Sequence, residues 1–218
     1  RELEKEIRAA KRRVQELETK FASISEANAR FKLREQDRLA QEGDVRQELL
    51  GLTGEMGNAV FLMDRSQTMG ESGRWAEAVS TLKTWLQHLP VQNAAVIAFG
   101  GGQLEAFPSR DYARRSAGEF TSVLAELDGL ETGGATNTYE AIEQAFRYDN
   151  LDAIILFTDG RPDGKYGSKD VLELVENLRS LRPNVKLHVI GVGDYFDGPM
   201  KRFLLGLREA GGGKFIGQ

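Results

Sequence analysis

Short apolar segments alternate with amphipathic segments from about residue 58 onward, and this alternation limits the possible folds more than any other feature. Apolar residues recur at helical spacing between the predicted strands, with Trp75, Val79 and Leu82 on one face. Continuously apolar strands that are separated by helices are typical of a mostly parallel sheet covered on both faces. The predicted strands are AVFLM (59–63), AAVIAF (94–99), AIILF (153–157), LHVIGV (187–192) and KFIG (214–217), with QLEAF (103–107) as a short antiparallel edge strand. The sequence therefore predicts an α/β fold with a doubly wound, Rossmann-like, mostly parallel sheet and helices on both faces.

The distribution of glycine divides the chain into two parts. Residues 1–50 contain one glycine, Gly43, whereas the rest of the chain contains the other 23. Glycine is unfavourable in helix interiors and collects in turns. We therefore predict a helical stalk at residues 1–54, followed by a loop-rich α/β domain at residues 55–218.

The helical part carries a heptad repeat. In a parallel pair of such helices, Glu6 would face Lys11 of the second copy and Arg13 would face Glu18, and both pairs attract. The pattern predicts a homodimer through a coiled coil over residues 3–31. A helix that packs on its own domain, or a folded-back hairpin, is the alternative. The two apolar rows are Ile7, Val14, Phe21 and Asn28 at one core position, and Leu3, Ala10, Leu17, Ile24 and Phe31 at the other.

Composition excludes several classes of site. The 218-residue chain has no cysteine and two histidines, which excludes thiolate chemistry, cysteine-ligated zinc and multi-histidine metal sites. The formal net charge of −4 makes a broad attraction to nucleic acid unexpected. No segment supplies the ~20 consecutive apolar residues of a membrane-spanning helix. Because the chain begins with Arg1 and not with methionine, the question whether a signal or anchor precedes it stays open. The location, cytoplasmic or in the bacterial envelope, stays open for the same reason.

Oxygen-bearing side chains collect where the predicted strands end. Asp64, Ser66 and Thr68 follow the first strand at every second position, Thr136 lies in the loop TGGATNT, and Asp159 follows the strand AIILF. The carboxyl ends of parallel strands meet at one edge of a sheet, where ligands bind. Alternate residues of an extended loop point the same way, so the first three side chains can face one ion. Oxygen donors without any soft ligand suit Mg²⁺, Mn²⁺ or Ca²⁺ better than zinc or copper.

The stretches FLMDRSQT, GGATNT and LFTDG resemble the von Willebrand factor A domain, as found in bacterial proteins, over about residues 57–218. The resemblance implies a metal-ion-dependent adhesion site. In such a site Asp64, Ser66 and Thr68 would form the first ligand loop, with Thr68 in place of the usual second serine. Thr136 would belong to the second loop, and Asp159 would contact the metal through water. The resemblance also implies that a divalent cation, Mg²⁺ first and Mn²⁺ or Ca²⁺ as alternatives, binds an Asp or Glu carboxylate of a protein partner.

Each motif also has a purely structural interpretation. Ser66 or Thr68 can cap the helix that follows. Asn137, with a glutamate three residues later, matches a capping box. Asp159 and Gly160 form an ordinary turn pair. The metal-site prediction therefore depends on all the motifs meeting at one edge of the sheet.

Two enzymatic interpretations each lack a required residue. An aspartyl phosphatase of the haloacid-dehalogenase type needs a second acid two residues after the first, where this chain has Ser66. A serine hydrolase needs a positioned base, but His188 lies in a predicted buried strand and His88 near a helix end. We therefore predict a non-enzymatic, metal-dependent protein-interaction module that is dimerised by its coiled coil. Two alternatives stay open: a structural subunit of a membrane-tethered or multi-subunit assembly with a vestigial metal site, and a phosphoryl-transfer enzyme that uses the same ion.

Overall fold

The chain divides into two compact units, Arg1–Gly43 and Asp44–Gln218. The computed structural model describes residue 11 and residues 13–22, 25–26, 28–30, 32–34, 51–52, 54–193 and 198–217. In the first unit the described residues are helical and exposed. Of the heptad positions, Leu3, Ile7, Ala10, Ile24 and Phe31 lie outside the described residues, so the dimeric coiled coil and the boundary after residue 54 stay predictions.

A seven-stranded sheet forms the centre of the second unit, counted over the residues described. The strand order is β3-β2-β1-β5-β6-β7, and β4 pairs with β2 beside β3. All neighbouring strands are parallel except β3 and β4, which run antiparallel to β2. The strands are β1 (Asn58–Asp64), β2 (Asn93–Gly100), β3 (Gln103–Phe107), β4 (Ala113–Arg114), β5 (Ala153–Thr158), β6 (Lys186–Gly191) and β7 (Gly212–Gly217).

Helices cover both faces of this sheet, as the continuous apolar strands predict. On one face, Phe61 and Phe157 pack in a cluster with residues of the first two helices, such as Leu82. On the other face, Leu62 packs in a second cluster with residues of the last three helices, such as Ile142. The helices are α1 (Arg74–His88), α2 (Phe120–Asp128), α3 (Thr138–Ala145), α4 (Ser168–Leu181) and α5 (Gly198–Gly211), with 3₁₀ turns at Gln67–Gly73 and Arg115–Ala117. Because successive residues of β1 are buried on opposite faces, the predicted α/β fold with a doubly wound, mostly parallel sheet is confirmed.

Strand order reverses at β1, and this reversal positions the candidate site. The chain passes from β1 to β2 on one side of the sheet and later returns to place β5 on the other side of β1. In parallel register, Met63 lies opposite Phe157, and Asp64 lies opposite Phe99. The loops after β1 and β5 therefore leave the same edge of the sheet side by side. This is the edge at which open α/β sheets bind their ligands.

Two details of the fold were not predicted, or were predicted only approximately. The two-residue strand β4 was not predicted, because two residues carry no periodic pattern. The last strand begins at Gly212, two residues before the apolar run that predicted it. No helix among the described residues has the length and apolar character needed to cross a lipid bilayer.

Candidate functional site

Asp64 ends β1 and forms the innermost part of the candidate site. The residue is fully buried, with 0% of its surface exposed. Its carboxylate accepts two hydrogen bonds, from the Ser66 backbone N–H to Oδ1 at 2.9 Å and from the Thr158 hydroxyl to Oδ2 at 2.6 Å. One donor belongs to the loop after β1 and the other to the end of β5. The carboxylate is therefore held between the two central strands.

The surroundings of Asp64 alter its acidity. Burial raises the pKa of Asp64 to about 6, because a charged carboxylate is poorly solvated inside the protein. The hydrogen bonds from Thr158 and Ser66 act in the opposite direction, since they stabilise the ionised form. A cation beside the carboxylate would stabilise the ionised form as well. A proton and a cation would therefore compete for this group.

Two hydroxyl groups lie between Asp64 and Asp159. The Ser66 Oγ and Thr68 Oγ1 atoms are 3.3 Å apart, and the Thr68 hydroxyl donates to Asp159 Oδ1 at 2.9 Å. Ser66 makes no side-chain cap to the 3₁₀ turn that follows it, and the residue before α1 is Gly73. Helix capping therefore does not account for these hydroxyls. They link the end of β1 to the residue that follows β5.

The loop that carries Thr136 is fastened to the loop after β1 by backbone hydrogen bonds. The Gly133 N–H donates to the Arg65 carbonyl at 2.8 Å, and the Gln67 N–H donates to the Gly134 carbonyl at 3.1 Å. Gly134 has a φ of +70° and lies against the backbone of Gly101, where a Cβ atom would overlap it. These contacts hold the Thr136 segment at the same edge of the sheet as Asp64.

Thr136 itself is buried, with 4% of its surface exposed. Its backbone N–H donates to the Asp163 carboxylate, which belongs to the loop after β5. Asn137 precedes α3 without a side-chain cap, so the predicted capping box does not form. Asp194 and Asp197, which follow β6 in the chain, lie outside the described residues.

Arg74 is the residue at this site that sequence reasoning missed. It is the first residue of α1, and its guanidinium Nη1 lies 2.8 Å from Asp159 Oδ2. The same nitrogen donates to the Thr68 carbonyl at 3.3 Å. The Asp159 side chain is 1% exposed and that of Arg74 is 23% exposed. The sequence feature that could have indicated Arg74 was a single basic residue ten positions after Asp64, at the start of the helix that follows the first ligand loop.

The donor set has the chemistry of a site for a hard cation. Among the described residues there is no group of three or more His, Cys, Asp or Glu side chains that could hold a metal. An ion here would therefore depend on the hydroxyls of Ser66 and Thr68 together with the two carboxylates. A hydroxyl that donates its proton to a carboxylate keeps its oxygen lone pairs, so the bond from Thr68 to Asp159 is compatible with coordination. All these donors are oxygen atoms, which suits Mg²⁺, Mn²⁺ or Ca²⁺.

The fold agrees with the comparisons with known proteins. The model of the von Willebrand factor type A domain matches residues 58–208, and the chain belongs to this family. The family is one of protein-interaction modules. No curated protein matches the chain.

Solved structures show the same fold at low sequence identity. The SpRpn10 VWA domain is 15% identical with a TM-score of 0.55, and the match covers 75% of this chain and 88% of that one. Proximal thread matrix protein 1 from the mussel byssus is 18% identical with a TM-score of 0.54, and the match covers 73% of this chain. That match spans 41% of the mussel protein. At these identities the likeness concerns the fold alone.

Proposed function

We propose that this domain is a non-enzymatic, cation-dependent protein-interaction module. Asp64, Ser66, Thr68 and Thr136 would hold Mg²⁺, with Mn²⁺ or Ca²⁺ as alternatives, and Asp159 would assist. The ion would supply positive charge with an open coordination position, to which an Asp or Glu carboxylate of a partner could bind. The observation that carries the proposal is the hydrogen-bond network that joins Asp64 to Asp159 through the Ser66 backbone N–H and the Ser66 and Thr68 hydroxyls, at the reversal point of the sheet.

The protein groups have separate tasks in this proposal. The hydrogen bond from Thr158 holds the Asp64 carboxylate in one orientation inside the fold. The Thr68 hydroxyl donates its hydrogen bond to Asp159, and its oxygen atom lies next to Ser66 Oγ. The donors are therefore ordered before any ion arrives, which reduces the entropy that binding must overcome.

We also propose that the module forms a homodimer through residues 3–31. Val14, Leu17 and Phe21 lie on a helical segment and are 54%, 58% and 76% exposed. Three apolar side chains at heptad spacing are typical of a coiled-coil seam. Two domains on one stalk would raise the apparent affinity for a partner with two acidic sites within reach.

A second candidate function is a structural subunit of a membrane-tethered or multi-subunit assembly in which the metal site is vestigial. The ion pair between Arg74 and Asp159 favours this alternative, because a guanidinium already neutralises one carboxylate of the site. Cation binding in solution separates the two candidates.

A titration with Mn²⁺, followed by NMR of the full chain, tests the cation site. We expect paramagnetic broadening of the backbone signals of residues 64–68, 134–137 and 158–160, which excess Mg²⁺ reverses. Asp64→Asn should abolish the broadening. Asp149→Asn is the matched control, because Asp149 borders a cleft with the first residues of β1 and β2, at the opposite end of these strands. Broadening that is absent, or equal in the wild type and Asp64→Asn, would contradict a cation site here.

The functional part of the proposal needs an acidic probe. An acidic peptide that binds in Mg²⁺, but not with a chelator or after Thr136→Ala, would support the carboxylate bridge. Equal binding under all three conditions would refute it. Sedimentation of the full chain tests the dimer, since a monomer at micromolar concentration would remove the stalk from the proposal.

A further inference from the structure

Arg74 places a permanent positive charge among the oxygens of the candidate site. Its Nη1 contacts Asp159 Oδ2 at 2.8 Å and the Thr68 carbonyl at 3.3 Å. Asp159 also accepts the Thr68 hydroxyl through its other oxygen, so each of its carboxylate oxygens already accepts one hydrogen bond. A guanidinium keeps its charge at all ordinary pH values.

The position of this arginine is specified from a second side by Gly193, which follows β6. A Cβ atom at Gly193 would lie 2.5 Å from Arg74 Nε and 3.0 Å from Cδ. Gly193 also has a φ of +78°, a conformation that other residues rarely adopt. The side chain of Arg74 therefore crosses the backbone at a point where only glycine leaves room for it. The ion pair holds the guanidinium at Asp159, and the absence of a side chain at Gly193 leaves the room that this position requires.

The charges at the site determine what such an arrangement does to a cation. Asp64 and Asp159 together offer two negative charges when both are ionised, and Arg74 reduces the total to one. A divalent cation beside Asp64 would meet repulsion from the guanidinium, and it would find Asp159 already paired. Charges inside a protein interact more strongly than charges in water, so one guanidinium at this distance has a large effect.

We propose that Arg74 is an internal counter-ion that competes with the divalent cation for Asp159 and thereby sets the cation affinity of the site. This inference rests on the cation site of the proposed function. In this inference Arg74, which is not itself a metal ligand, determines how strongly the site binds the cation. The natural chain then binds Mg²⁺ weakly, and it releases the ion when the free concentration falls.

Calorimetric titration of the full chain with Mg²⁺ tests this role. Arg74→Gln removes the charge, while the amide can still donate to Asp159, so the buried carboxylate keeps a partner. We expect its dissociation constant to fall by about tenfold or more, which is equivalent to ~1.4 kcal/mol. Arg74→Lys keeps the charge and should stay within about threefold of the wild type. Arg147→Gln is the charge-matched control, because Arg147 lies beyond the end of α3 and pairs with Glu143 of that helix. This variant should bind Mg²⁺ like the wild type.

Gly193→Ala supplies a second variant in case Arg74→Gln folds poorly. The added methyl group displaces the Arg74 side chain without changing any charge, so tighter Mg²⁺ binding is expected here as well. The displacement is checked by the loss of the NMR signals that couple the Arg74 side chain to residue 159. Displacement without tighter binding would overturn the role of Arg74.

The outcomes distinguish this inference from the proposed function. If the wild type and Arg74→Gln bind Mg²⁺ equally, and Asp64→Asn abolishes binding in both, the cation site stands and the role of Arg74 is refuted. If Arg74→Gln binds and the wild type does not bind at millimolar Mg²⁺, the role of Arg74 is supported and the cation dependence of the natural chain is refuted. If none of the variants binds, both proposals fail.

Discussion

Thr158→Val removes one hydrogen bond at the base of the candidate site and leaves the shape of the side chain nearly unchanged. The lost bond is short, at 2.6 Å, and both residues are almost fully buried, with Thr158 1% and Asp64 0% exposed. A hydrogen bond to an ionised group contributes about 1.5–3 kcal/mol to stability. Thr158 also accepts a longer bond of 3.2 Å from the Gly160 N–H. We expect the free energy of unfolding to fall by about 2–3 kcal/mol at pH 8 without metal.

The loss should depend on pH in a defined direction. Asp64 has a pKa of about 6 in the folded protein, above its ordinary value of 3.8. Stability from this group is therefore highest below pH 4 and falls as the pH rises through about 6, by roughly 3 kcal/mol in total. The Thr158 hydroxyl opposes this fall, because it stabilises the ionised carboxylate. The variant should therefore have a still higher Asp64 pKa, and its deficit should shrink to about 1 kcal/mol at pH 5.

Urea unfolding of the full chain with a chelator, at pH 8 and pH 5, measures this difference. Thr84→Val is the matched control, because Thr84 lies on the exposed face of α1 and donates to the Ser80 carbonyl. Its effect should stay within about 0.5–1 kcal/mol at both pH values. A Thr158→Val deficit that is the same at pH 8 and pH 5, or below about 0.5 kcal/mol at both, would refute the role assigned to this hydrogen bond.

Two further predictions concern the elements that hold the site in place, and both use urea unfolding. Gly134→Ala combines a strained positive φ with a backbone overlap, so the free energy of unfolding should fall by about 2–4 kcal/mol. Gly133→Ala has open space at its Cβ position and should lower it by less than about 1 kcal/mol. Equal effects of the two variants would contradict the close approach of Gly134 to Gly101. Arg115→Met leaves the carbonyls of Leu86 and Val91, now bonded at 2.6 Å each, without their donor and should cost about 2–3 kcal/mol. Arg114→Met, which breaks one exposed ion pair, should destabilise the protein much less than Arg115→Met, and a reversed order would be evidence against this assignment.

The strands could be predicted from the sequence because each buried strand is an unbroken apolar run. The strand ends could be predicted for the same reason, since Asp64 and Asp159 interrupt or follow those runs. Parallel strands bring their carboxyl ends to one edge, and this rule was enough to place both carboxylates together. The antiparallel edge strand β3 was also predicted, and the structure confirms its direction.

Other features depend on side-chain paths that no local pattern records. The ion pair between Arg74 and Asp159 joins residues 85 positions apart. It forms because α1 begins beside the end of β5 and because Gly193 leaves space for the arginine. The hydroxyls of Ser66 and Thr68 were equally consistent with helix caps until their partners were seen. The three-dimensional structure shows that neither hydroxyl caps a helix, and metal coordination by them stays a prediction.

The central position of β1 has a consequence for how the chain acquires its structure during synthesis. Strand β1 pairs with β2, whose partner residues are 35 positions away, and with β5, whose first partner residue is 94 positions away. A nascent chain that has left the ribosome only as far as α3 therefore keeps one edge of β1 unsatisfied. Asp64 and Asp159 come together only after β5 has emerged, so the last third of the polypeptide decides when the candidate site first forms.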